Sequence, residues 1–322
     1  MASTVVGWIG LGNAGMSMAS NLANSGFKLI VRDADSDRQQ NFAKTKAGTV
    51  EVGNTPEAFS NADIIVTMLP NGKVVRDVLL GHDGIAPALK RGTVIVETSS
   101  SSPFDTRRLG EELDRYGLHL VDSPVTQTRL HDIDTGQATL MVGSNSSEAI
   151  AKITPVLQAM AKHVFHMGKL GAGHAMKTLN NYISAAAIVA LSDSLVVGQK
   201  FGLDPVQMID VLNVGTGRNF STSDSYASDA LPRKYASGYQ LALLIKDIGI
   251  AKEVFEDQAF STGLPDLILN DFSQAMSILK PDADHTELLK SWEKRAGIQL
   301  KSGQPCGDTE AKADVVSSQN HS

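Results

Sequence analysis

Val5-Val6-Gly7-Trp8-Ile9-Gly10-Leu11-Gly12-Asn13-Ala14-Gly15 is the stretch on which the reading of the first half turns. An apolar run of strand length meets three glycines spaced G-x-G-x-x-G, and a helical pattern follows from Ala14 to Ser25. The spacing alone is weak; the strand before it and the helix after it give it meaning. A tight turn falls at Gly10, close backbone approach to a pyrophosphate at Gly12, and helix–strand packing at Gly15. The helix N-terminus would then turn its unpaired N–H groups and its dipole toward phosphate. Gly10, Leu11, Gly12, Asn13, Ala14 and Gly15 are therefore candidate dinucleotide contacts; the competing reading is a glycine-rich turn without a ligand. Asp33 ends the next strand, Phe27 to Arg32. A carboxylate there accepts from the ribose hydroxyls of NAD and repels the 2′-phosphate of NADP, while Arg32 beside it keeps NADP open. NAD is the expected cofactor.

Outward from this turn, apolar runs recur at Ala62 to Leu69, Thr93 to Glu97, Leu118 to Val121 and Thr139 to Val142. Helical patterns at 71–80 and 103–116 lie between them, and a last pair runs from Ser146 to Lys162 and His163 to Met167. Strands alternating with helices predict an α/β Rossmann-type doubly wound domain with a largely parallel sheet, placed at residues 1–168. After Gly171 no convincing strand is seen. A helix from Ala172 to Gln199, apolar on nearly all faces, reads as a buried spine joining two lobes. Patterns near 204–213, 239–260, 264–279 and 284–295 complete an all-α domain, 169–295, for substrate binding and dimerisation. The polar stretch 296–322 is expected to be a disordered tail.

Twenty-nine Lys and Arg against 35 Asp and Glu give a net charge of −6, with aromatics at 5%. Neither nucleic acid nor an anionic membrane is an expected partner of such a surface. Cys306 is the single cysteine, so disulfides and cysteine metal sites are not expected. The apolar run Ile183 to Leu191 is short for a bilayer, and no leader pattern precedes Val5. A cytoplasmic protein without a metal is expected. His163 and His166 alternate on a strand, and His174 lies in a glycine turn; with no carboxylate at ligand spacing, all three read as structural or solvent-facing.

The second telling stretch is Gly171-Ala172-Gly173-His174-Ala175-Met176-Lys177-Thr178-Leu179-Asn180-Asn181. Lys177 and Asn181, four apart, share a helical face and can address one small ligand, by proton and by hydrogen bond. Gly171 and Gly173 suit close approach of backbone or cofactor. A solvated lysine and a buried, internally bonded asparagine are the bland alternatives. To act as a base near neutrality, an ordinary lysine with a pKa of about 10.4 must fall to about 7–8, roughly 4 kcal/mol of differential destabilisation of the ammonium.

Taken together these motifs resemble the β-hydroxyacid dehydrogenases, the family of 3-hydroxyisobutyrate dehydrogenase and tartronate semialdehyde reductase. The resemblance covers residues 5 to 295. It rests on Gly7 to Asn13 with Met18 to Leu22, Thr67-Met68-Leu69-Pro70, Glu97-Thr98-Ser99-Ser100, Asp122-Ser123-Pro124-Val125-Thr126, Gly171 to Asn181, and Lys246-Asp247. It implies cofactor contacts at Leu69, Pro70, Ser100 and Lys246, an acid–base role for Lys177, and substrate contacts at Thr126, Gln127 and Asn181. It also implies a small hydroxyacid or related polar alcohol as substrate, and a homodimer or higher homo-oligomer. Lys246 read by itself is an ordinary helix-surface charge. Gly217-Arg218-Asn219-Phe220 suits either the substrate end or core packing. The chain departs from the family at Thr126-Gln127-Thr128, where two glycines usually follow a serine. That departure leaves an imine reductase as the alternative enzyme. A scaffold that binds NAD(P) without catalysis is the alternative from another class, and 6-phosphogluconate dehydrogenase is disfavoured by the short helical region.

Overall fold

A computed structural model describes residues 4–126 and 133–301 of the chain. Six strands run parallel in the order β3-β2-β1-β4-β5-β6: β1 (Val5–Ile9), β2 (Lys28–Arg32), β3 (Val50–Val52), β4 (Ile64–Thr67), β5 (Val94–Glu97) and β6 (His119–Asp122). This is the strand order of a doubly wound dinucleotide-binding sheet, which reverses direction at β1 and β4. The central strands are buried on both faces because helices cover both. Ile64, Val66, Val94 and Val96 pack into one core with Met18, Leu22, Ile153 and Leu157. Ile65 and Ile95, pointing the other way, join Val75, Leu79, Leu109 and Leu113. Near-continuous apolar strands are what a two-sided sheet requires.

Helices α1 (Asn13–Asn24), α3 (Gly72–Leu80) and α4 (Pro103–Asp114) follow as expected from the sequence, and α2 (Ser36–Thr45) is added to them. Helix α2 and the edge strand β3 occupy a polar stretch that periodicity leaves unassigned; the Asp35 side chain caps α2 by accepting from Arg38 N. Beyond Ser123-Pro124 the chain resumes as β7 (Val125–Thr126), which pairs antiparallel with β8 (Thr139–Gly143). After α5 (Ser147–Met160), β9 (His163–Gly168) pairs parallel with β8, so the sheet is mixed at this edge.

Helix α6 (Ala172–Phe201) is 30 residues long and contributes to two compact units. The first runs through Tyr182 and includes Asp247–Ser261; the second comprises Ile183–Lys246 and the chain from Thr262. By length and composition α6 could cross a bilayer, but half of its most apolar window is buried inside the protein, as in the core helix of a folded domain. The second unit is helical: α7 (Pro205–Val214), a π-helical segment Ser221–Ala230, α9 (Leu264–Met276) and α10 (Leu289–Ala296), with α8 (Leu241–Asp257) shared between the units. Residues 297–301, assigned by polarity to the tail, are held in place. Leu300 is buried, its N–H donates to Glu293 Oε1 at 2.8 Å, and Gln199 bonds both Gln299 O and Lys301 N. The rest of the expected tail, and Gln127 with Thr128, lie outside the described residues.

Candidate active site

Each glycine of the fingerprint has its own geometry. Gly10 has φ +102°, and a Cβ on it would meet Met68 O at 2.1 Å; one on Gly15 would meet Gly10 O at 2.2 Å. Those two glycines let β1, β4 and α1 close upon one another. The Trp8 indole N–H donates to Gly10 O at 2.8 Å inside the core and pins the turn. At Gly12 an added Cβ meets nothing within 4 Å. Gly12 is also the N-cap of α1 and supplies no side-chain cap, whereas Asp35, Asn71 and Ser146 cap α2, α3 and α5. Open space before uncapped helical N–H groups is a cradle for pyrophosphate, so these residues fit a dinucleotide.

Asp33 stands beside this turn. Its Oδ2 accepts from Leu11 N at 2.5 Å, and its Oδ1 from Asp35 N at 2.8 Å and Arg38 Nη1 at 3.2 Å. Arg38, which the sequence reading passed over, is thus the cation paired with Asp33, at 41% side-chain exposure. Asn13 and Ala14 start α1.

The C-terminal ends of β4, β5 and β6 are tied together and to the start of α6. Leu69 N donates to Ser99 Oγ at 2.9 Å, and Ser99 N to Glu97 Oε1 at 2.7 Å. Ser100 and Pro70 follow those strand ends in sequence. Asp122, at the end of β6, accepts from Gly171 N at 2.7 Å and from His174 N at 2.8 Å. A carboxylate borrowed from a neighbouring strand thereby caps the first turn of α6 and opposes its dipole. The close approach expected at the two glycines is one of protein backbone: Gly171 has φ +89°, and a Cβ on Gly173 would meet Met141 O at 2.1 Å.

His174 lies among these groups, fully buried. Its Nε2 is 2.8 Å from Glu97 Oε2 and 3.1 Å from Ser99 O, while its Nδ1 is 2.8 Å from Thr106 Oγ1 and 3.8 Å from Asp122 Oδ2. No carboxylate lies near His174 in sequence, yet the fold brings one from each of two adjacent strand ends. Burial works against both charges of the Glu97–His174 pair, and their mutual attraction more than offsets it: Glu97 is held below the usual carboxylate range and His174 above the usual imidazole value. Burial pushes the Asp122 carboxyl up. His163 and His166 are exposed, in line with their expected solvent-facing placement.

Lys177 follows His174 by one turn on α6 and is half-buried. Asn181 is buried; its Nδ2 donates to Asp247 Oδ2 at 2.6 Å, and its Oδ1 accepts from Asn180 Nδ2 at 3.2 Å. Thr178 Oγ1 donates to Asp247 O at 2.6 Å, so α8 is fastened to α6 directly beneath the lysine turn. Asp247, buried, is the partner that the sequence pattern paired only with Lys246, its neighbour on α8. Thr126, half-buried, ends β7 opposite Thr139. The strand ends with Leu69 and Ser100, the start of α6 with Lys177, and Asn181 with Asp247 are thus linked within the first compact unit.

The sheet order and the glycine cradle define a dinucleotide-binding protein of the doubly wound type. The model for the NAD binding domain of 6-phosphogluconate dehydrogenase matches residues 5–168. That for the NAD-binding domain of NADP-dependent 3-hydroxyisobutyrate dehydrogenase matches 171–292. The chain is 32% identical over 304 residues to 2-(hydroxymethyl)glutarate dehydrogenase of Eubacterium barkeri, covering 94% of this chain and 99% of that protein. It is also 32% identical over 274 residues to the mitochondrial 3-hydroxyisobutyrate dehydrogenase of Homo sapiens, covering 83% and 79%. A solved structure of the Mycobacterium tuberculosis 3-hydroxyisobutyrate dehydrogenase with L-serine is 25% identical, with a TM-score of 0.81 over 90% of this chain and 99% of that one. The chain belongs to the 3-hydroxyisobutyrate dehydrogenase-like β-hydroxyacid dehydrogenases. It is an NAD(P)-dependent dehydrogenase acting on CH–OH groups, which sets aside the imine reductase and the non-catalytic scaffold.

Proposed function

We propose that the enzyme oxidises the primary hydroxyl of a 2-substituted 3-hydroxypropanoate, reversibly, with Lys177 as the acid–base residue. The names of its relatives and of the ligand in the related structure share one chemistry. 3-Hydroxyisobutyrate, 2-(hydroxymethyl)glutarate and serine all carry a CH₂OH group next to a carbon that bears a carboxylate. The observation carrying the proposal is the fastening of the Lys177 turn to the strand ends, through Ser99, Glu97 and Asp122 on one side and Asp247 on the other. In a doubly wound sheet, ligands bind outside those strand ends.

A bound nicotinamide would supply the acceptor for the hydride that leaves the carbinol carbon. Neutral Lys177 takes the hydroxyl proton as the carbonyl forms, and the ammonium returns it in the reverse direction. Asn181, fixed by Asp247, orients the hydroxyl oxygen that becomes the carbonyl oxygen. Thr126, with Gln127 next in sequence, would hold the polar end of the substrate, and Lys246 would help hold the cofactor. Asp33, already bonded to the glycine turn through Leu11 N, receives the ribose hydroxyls and favours NAD. A homodimer is proposed as well: Ile183, Val197 and Phe201 lie exposed on one face of α6 and suit a second copy. A monomer at micromolar concentration in sedimentation velocity would refute the dimer.

The test is Lys177→Ala, assayed by absorbance of the reduced cofactor with NAD and with 3-hydroxyisobutyrate or L-serine as probe. Turnover should fall at least a thousandfold while NAD binding by calorimetry persists. Near-normal turnover would refute the acid–base assignment.

A further inference from the structure

We propose that His174 is a buried imidazolium that positions the catalytic turn of α6, holding Lys177 in register with the strand ends; the inference rests on the acid–base reading of Lys177. The argument begins with hydrogen-bond direction. Thr106 Oγ1 lies 3.0 Å from Ser102 O and 2.8 Å from His174 Nδ1; with its single proton given to the carbonyl, it meets the ring as an acceptor. Nε2 faces the Ser99 carbonyl and the Glu97 carboxylate, neither of which can donate when Glu97 is ionised. Both ring nitrogens therefore meet acceptors, and a ring protonated on both sides satisfies them. Glu97 and Asp122 both lie within 4 Å of that ring, with side-chain exposures of 1% and 0%; the ring supplies the countercharge of Glu97, while Asp122 is held by the main-chain N–H groups of Gly171 and His174. The raised His174 and lowered Glu97 values agree with this arrangement.

The consequence for Lys177 follows from helix geometry. The first turn of α6 is held from three directions: the His174 ring by α4 and by the loop after β5, and its main chain by β6. A roll of about 20° about the helix axis displaces an atom ~6 Å from that axis by about 2 Å. A misplacement of about 1 Å at a reacting group can cost about a hundredfold in rate. Nothing in this arrangement requires His174 to touch substrate or cofactor; it acts through the lysine that follows it by one turn.

The experiment has two arms, both on the full chain. In the first, long-range ¹H–¹⁵N correlation spectra of the ¹⁵N-histidine-labelled protein are recorded near pH 7.5, with His174 assigned by the loss of its signal in His174→Gln or, should that variant not fold, by its perturbation in Glu97→Gln. Two protonated ring nitrogens are expected; a single neutral tautomer overturns the proposal. In the second, kcat is measured at saturating NAD and 3-hydroxyisobutyrate for His174→Gln and Glu97→Gln, with Lys177→Ala alongside. Each single variant should lose about tenfold or more in kcat while NAD affinity stays within about threefold. The double variant should recover part of the loss, because neither charge is then left alone. Variants that melt lower yet keep normal kcat overturn the positioning role. If Lys177→Ala is inactive while both single variants turn over normally, this inference alone fails. If Lys177→Ala is active, the acid–base reading fails and the positioning role fails with it.

Discussion

Gly12→Ala separates the ligand role of the fingerprint from its folding role. At Gly12 φ is −61° and ψ −177°, a conformation open to any L-residue, and an added Cβ meets nothing within 4 Å. Loss of glycine's unfolded-state freedom stabilises by about 0.4–1 kcal/mol. Alanine at an N-cap is worse than glycine by a comparable amount. The two effects offset, so the unfolding free energy of the cofactor-free protein should change by less than about 1 kcal/mol. Binding is another matter, because the methyl occupies the space in which pyrophosphate approaches the α1 N–H groups. Loss of even two charge-assisted hydrogen bonds, at about 1.5–3 kcal/mol each, weakens NAD binding by about 10²-fold or more. The contrast is Gly10→Ala, where φ +102° and a 2.1 Å approach to Met68 O must strain the fold itself. Urea unfolding without nucleotide and calorimetric titration with NAD measure the two quantities on each variant. A Gly12→Ala protein that binds NAD as tightly as the parent would refute the cradle. So would a Gly12→Ala variant as unstable as Gly10→Ala, since the loss would then lie in folding.

Other expectations follow from single contacts. Asp33→Ala should weaken NAD about tenfold or more and narrow the gap to NADP, in titrations with both nucleotides; unchanged selectivity would remove Asp33 from the ribose site. Leu300→Ala should cost about 2–5 kcal/mol in urea unfolding, because that side chain is 4% exposed in the second unit; a neutral result would return residues 297–301 to the tail. His174 and His285, both buried, should give opposite pH dependences. His174, raised above 6.5, contributes fully below that value and loses its contribution as pH climbs through its folded value. His285 is lowered by burial, against the pull of Asp284, so its contribution is present above 6.5 and lost as pH falls through its folded value. Relative to the parent, His174→Gln should flatten the alkaline side of the stability profile and His285→Gln the acid side; the reverse pattern would refute both assignments.

The fold was legible in the sequence wherever burial is two-sided. Apolar runs such as Ile64 to Thr67 and Val94 to Glu97 can hardly be other than central strands, and Gly10 and Gly15 mark the contacts that close upon β4 and α1. Strand β3 and helix α2 were illegible for the converse reason, because an edge element buries little and its pattern is polar. At the candidate site, Lys177 and Asn181 were visible through their spacing along one helix. The partners of His174 were not, since Glu97 and Asp122 lie far from it in sequence and meet it only because β5 and β6 are neighbours. Their one local signal is position: both are acids on the last residue of a buried strand, where a parallel sheet points its ends at a ligand. Asp247 was visible as half of a pair whose lysine drew the attention, although the aspartate makes the buried contacts.

That pattern bears on why charged groups are kept in the floor of this site. Replacing a buried ion pair with apolar side chains of similar volume is often neutral or stabilising, so stability by itself gives little reason to retain Glu97 and His174. Apolar packing, however, tolerates a helix rolling through small angles, since dispersion contacts are individually weak and non-directional. Hydrogen bonds are directional, and those around His174 and Asp122 converge on one turn from α4, β5 and β6. Asp247 adds a fourth direction from α8 one turn further on. In the proposed acid–base role Lys177 needs its azimuth on the helix fixed to within a small roll, and this network would supply that constraint where a hydrophobic floor would not. If exchange of Glu97 and His174 for a well-packed apolar pair raised the melting temperature and left kcat intact, directionality would be the wrong explanation.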